Sequence, residues 1–168
     1  MTIKSKQKLV ELIASLAWFG CYLLYAFSGN APEVGNLQGW ATVLLIAIVI
    51  SVGVLLIASA GFNLIASTVM IVQEKANGRE DISKITTRAK NAFAENKLDK
   101  AINAKANSMT LGCIAIGVGV SLVAMALGIN AVLGLHIILC FSCCIGVAVG
   151  CIYSITIYER KRKEESKK

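Results

Sequence analysis

The chain has 168 residues, 56% of them hydrophobic and 16% charged, with a single proline and a mean hydropathy of +0.68. That is too apolar for a soluble domain of this size and leaves no length for a second folded unit. The formal net charge of +7 does not indicate nucleic-acid binding, because the basic residues follow the boundaries of apolar runs and form no basic face with interleaved aromatics.

The first apolar run, 9–28, has about the ~20 residues needed to cross the hydrocarbon core. Lys4, Lys6 and Lys8 precede it, as they would a secretory signal, and Ala26 and Ser28 could be read as its cleavage site. The length of the run and Trp18 at its centre argue instead for a retained helix. Glu11 stands near its start, where its side chain can snorkel to the headgroups. A turn-rich connector containing Pro32 and no Lys or Arg follows.

The second run, 40–72, exceeds the bilayer thickness, so it is expected to tilt or to project beyond the headgroups. Trp40, Tyr22 and Tyr25 mark one interface as an aromatic belt. Asn63 is the most polar residue well inside this span. The third run, 109–127, is joined to the fourth, 131–158, by Gly128-Ile129-Asn130 alone.

The expected fold is all-α: a polytopic membrane protein of four transmembrane helices in two hairpins, residues 1–168 forming one domain. A segment, 73–107, lies between the hairpins and a basic tail, 159–168, ends the chain. The two hairpins share an outline, but too few identities accompany it to imply duplication. Three basic residues precede the first span, eight lie in the central segment and six in the tail; these are all seventeen of the chain. The positive-inside rule therefore places both termini and the central segment in the cytoplasm of a multi-pass cell-membrane protein, an outline common among bacterial inner-membrane proteins.

In the central segment Ile82, Ile85, Ala89, Ala92 and Phe93 recur at helical spacing, and Leu98, Ile102, Ala106 and Met109 do so after a break near Glu95-Asn96. Two short amphipathic helices are expected, the first capped by Asp81 and the second running into helix 3. Their apolar stripe, edged by Lys84 and Arg88, can meet inner-leaflet lipid, another copy of the chain or a cytosolic protein partner.

Helix 4 carries Ser142, Gly146, Gly150 and Ser154 at every fourth position, and helix 3 carries Ala115 and Gly119. Such ribbons let helices approach closely, within one chain or across a homo-oligomer seam. His136, Cys140 and Cys143 share a face of helix 4 and are weak candidates for a soft metal, as in a thiophilic metal transporter. Their spacing matches no recognised ligand set, and cysteine also packs as a small apolar residue. Six cysteines, nearly all at membrane depth, do not suggest a disulfide framework.

No catalytic constellation, phosphate loop or cofactor motif is present, so neither an enzyme nor a cofactor is expected. The sequence favours a non-enzymatic membrane module, an anchor, sensor or accessory subunit, that self-associates and presents its cytoplasmic surface to a partner protein or lipid. The alternative is an oligomeric pore of the holin or membrane-permeabilising defence type.

Overall fold

The computed structural model describes residues 1–76 and 96–166. Four helices account for nearly all of them: α1 (Ile3–Ala26), α2 (Leu37–Ala76), α3 (Lys97–Ala126) and α4 (Ala131–Glu165). Each is long and apolar enough to cross a membrane, and the described chain is a four-helix membrane protein without strands.

Local chemistry sets the helix ends. The Thr2 hydroxyl accepts the Ser5 N–H at 3.0 Å, which starts α1 earlier than the apolar run alone implies. Asn36 Oδ1 accepts the Gly39 N–H at 2.8 Å at the head of α2. At the head of α3, Asn96 and Asp99 form a reciprocal capping box. This cap falls at the break near Glu95-Asn96. The expected second amphipathic helix and transmembrane helix 3 are accordingly one continuous rod.

The turn between α3 and α4 is a Schellman motif. Ile129 N–H reaches Ala124 O and Gly128 N–H reaches Met125 O, and Gly128 has a φ of +87°, which glycine adopts without steric cost. Asn130 then caps α4 through the Val132 N–H at 2.8 Å.

In the bundle α1 packs against α2 and α4, and α3 packs along the whole of α4, whereas α2 and α3 hardly meet. Termini and helix starts fix the two ends. Thr2, Asp99 and Tyr158 come together at the terminal end, and Tyr22, Trp40 and His136 at the turn end. Side-chain character is inverted relative to a soluble bundle. Leu24, Ile57 and Leu64 are more than two-thirds exposed, while Ser5, Ser15, Ser121 and Ser154 are fully buried. Small polar residues inside and branched aliphatics outside suit a bundle whose solvent is hydrocarbon.

The middle of α4 departs from α geometry: Cys140–Gly146 is wound as a π-helix. Re-registering the ladder leaves carbonyls that need other donors, because hydrocarbon offers none. Two neighbouring helices supply them. Ser15 Oγ donates to Cys143 O at 2.6 Å, and Thr110 Oγ1 donates to Gly146 O at 2.9 Å. The wide turn is thus pinned to α1 on one side and to α3 on the other.

Candidate functional site

Every fourth or third residue of α1 from its start, Lys4, Lys8, Glu11, Ser15, Trp18 and Tyr22, lies on one stripe. At the terminal end this stripe is charged and turned inward. Lys8 Nζ bonds Glu11 Oε2 at 2.8 Å, and the Glu11 side chain is only 13% exposed. Glu11 therefore does not snorkel outward as expected from its position. It lies about 22 Å along the helix from the last residue of α1, at ~1.5 Å per residue.

Asp99 completes the charged end. Its Oδ1 accepts the Tyr158 hydroxyl at 3.0 Å, and its Oδ2 lies 3.8 Å from Lys4 Nζ. One carboxylate therefore caps α3 and ties α1 and α4 to it. The backbone N–H of Thr2 also donates to Glu159 Oε1 at 2.9 Å. Beside them, Gln7 Nε2 donates to Ser59 Oγ at 2.7 Å and joins α1 to α2.

Between these groups is a chamber of ≈ 290 Å³ lined wholly by polar residues: Lys4, Gln7, Lys8, Glu11, Ser59, Asn63, Asn103 and Tyr158. Asn63, the most polar residue well inside its span, belongs to this lining, and its Oδ1 is buried without a hydrogen-bond partner among the described residues. The chamber opens into a larger cleft of ≈ 630 Å³, with which it shares Lys8, Glu11, Ser59 and Asn103. The cleft continues along Val52, Leu55 and Leu56 of α2 and Val147 and Cys151 of α4, on the side where α2 and α3 stand apart.

The turn end has a different chemistry. His136 stacks edge-on to Trp40, with centroids 4.7 Å apart, and lies 5.9 Å from Tyr22. Its Nδ1 is 2.7 Å from Val132 O. Cys143 is buried in a cluster with Tyr22, Leu44, Ala47 and Leu139, and Cys140 is half-buried. Among the described residues no three His, Cys, Asp or Glu side chains converge as metal ligands.

The small-residue ribbon of α4 is used inside the chain. A Cβ on Gly150 would lie 2.8 Å from Thr110 Oγ1, and one on Gly146 would lie 3.1 Å from Thr110 Cγ2. Ser154 is fully buried and donates to Gly150 O, while Ser142 donates to Leu139 O. On α3 the inward positions are Gly117, Ser121 and Ala124, and a side chain on Gly117 would collide with Phe141. Ala115 and Gly119 face outward instead, with open space around Gly119.

Of the surface expected on the central segment, Ile82, Lys84, Ile85, Arg88 and Phe93 lie outside the described residues. Leu98 is half-buried. Ile102, 3% exposed, faces the bundle interior and is not part of an outward surface.

Compared with known proteins, the chain matches no family model, no curated protein and no solved structure.

Proposed function

We propose that the protein is a non-enzymatic integral membrane module, an anchor, sensor or accessory subunit, that works through its terminal end. Both termini and residues 73–107 lie in the cytoplasm in this reading, which the location of all seventeen Lys and Arg outside the two turns supports. Its ligands are inner-leaflet lipid or a partner protein, and copies associate through outer faces such as that of Ala115 and Gly119.

One observation carries the reading: among the described residues the charged interior is confined to the terminal end. There Lys4, Asp99 and Tyr158 clamp three helices and Lys8–Glu11 lines a polar chamber, while α2 runs on for about 25 Å past Ser59. Aromatic packing occupies the opposite end, around His136. Ionisable groups inside a span mark working sites, because hydrocarbon makes them costly to keep.

Reporter fusions test the orientation. A phosphatase that matures only outside the cytoplasm should be inactive at the C-terminus and active when inserted at Glu33. The reverse pattern would remove the cytoplasmic assignment and the function built on it.

A further inference from the structure

The polar chamber and the cleft that opens from it form one continuous amphipathic slot. Its head is hydrophilic, with Lys4, Lys8 and Glu11 among the lining residues, and its mainly apolar body runs along Val52, Leu55 and Leu56 of α2 and Val147 and Cys151 of α4, with Asn107 and Thr110 of α3 on its other wall. The body lies between α2 and α3, which make few contacts with each other among the described residues. A wholly polar ligand would leave the body unfilled, and a wholly apolar one would leave the polar lining of the head, Asn63 Oδ1 included, without partners. We propose that this slot binds one phospholipid, with its phosphate in the chamber and an acyl chain between α2 and α3. The proposal deepens the membrane-module reading and rests on it for which leaflet supplies the lipid.

The head also specifies a class of headgroup. Lys8 spends one of its three N–H groups on Glu11 Oε2, leaving donors for a phosphate beside Lys4. Glu11 keeps a second carboxylate oxygen, which takes an N–H or O–H from the headgroup. The expected lipid therefore carries both a phosphate and a terminal donor, as phosphatidylethanolamine and phosphatidylglycerol do. Phosphatidylcholine has the phosphate but no donor.

Native mass spectrometry of the intact, delipidated protein in mild detergent tests this with those three dioleoyl lipids, one at a time. The slot predicts a single-lipid adduct with the ethanolamine and glycerol lipids and little with the choline lipid. Leu55→Trp, which fills the body, and Lys8→Gln combined with Glu11→Gln, which removes the Lys8–Glu11 pair without stranding either charge, should each abolish the adduct. Ile57→Trp, on the 74% exposed face outside the slot, should keep it. Equal retention of the choline lipid by the unmodified protein would overturn the proposal whatever the variants do. So would an adduct that survives both slot variants, or full displacement by soluble glycerophosphoethanolamine at matched concentration, since the acyl chain would then contribute nothing. Micelles have no sidedness, so failure here leaves the orientation standing, and a reversed orientation leaves the slot standing.

Discussion

Ser15 of α1 donates its hydroxyl at 2.6 Å to the backbone carbonyl of Cys143, 128 residues away on α4. The acceptor lies within the π-wound stretch, where the ladder is re-registered and hydrocarbon offers no substitute donor. Ser15→Ala should therefore cost roughly 1–3 kcal/mol, the usual penalty for stranding a buried polar group. Thr110→Val removes the matching bond to Gly146 and should cost a similar amount. Thermal unfolding in detergent checks both. Unchanged midpoints in the two variants would mean that the π segment is held by packing alone.

Asp99 gathers three helices at the terminal end. Tyr158→Phe removes one hydrogen bond to a charged acceptor and should destabilise by about 1.5–3 kcal/mol. Asp99→Ala removes that bond, the carboxylate arm of the capping box and the Lys4 contact together, so its midpoint should fall further. Equal effects of the two substitutions would assign the whole stabilisation to the tyrosine bond.

Gly150 and Gly119 are both small residues on spanning helices, yet they predict opposite outcomes. A side chain at Gly150 meets Thr110 and the Ala106 carbonyl, whereas one at Gly119 meets nothing within 4 Å. Gly150→Leu should separate α3 from α4 and lower the unfolding midpoint of the protomer. Gly119→Leu should leave the midpoint alone and reduce self-association, read as particle mass by light scattering with the detergent subtracted. A mass lowered by Gly150→Leu with an intact midpoint would return the α4 ribbon to the oligomer seam.

The four spans were legible because each apolar run matches a bilayer in length, and the start of α3 because the apolar spacing breaks near Glu95-Asn96; the Asn96–Asp99 capping box there was not anticipated. The faces were not legible. On a helix that is apolar all round, periodicity cannot separate a lipid-facing side from a packed one. Ala115 and Gly119 could serve packing within the chain or an oligomer seam, and the structure puts Gly117 and Ser121 in the α3–α4 contact instead, leaving the outer face to the other two. Ile102 was expected outside because the residues around it are polar, and the bundle covers it because α3 continues through them. Glu11 was expected to reach outward, but Lys4, Lys8, Glu11 and Ser15 recur on one stripe of α1, a regularity that marks an inward face. Nothing in the residues Cys140 to Gly146 announces π winding, which depends on Ser15 and Thr110 arriving from other helices.

In the proposed function all charged work is done at one, cytoplasmic, end. Labelling by a membrane-impermeant maleimide tests it most directly, using single cysteines placed at Glu33 and at Lys163 in a cysteine-free background. Glu33→Cys should label in right-side-out vesicles and Lys163→Cys only in inverted ones. Labelling of Lys163→Cys from outside, or of both sites from one side, would contradict the account.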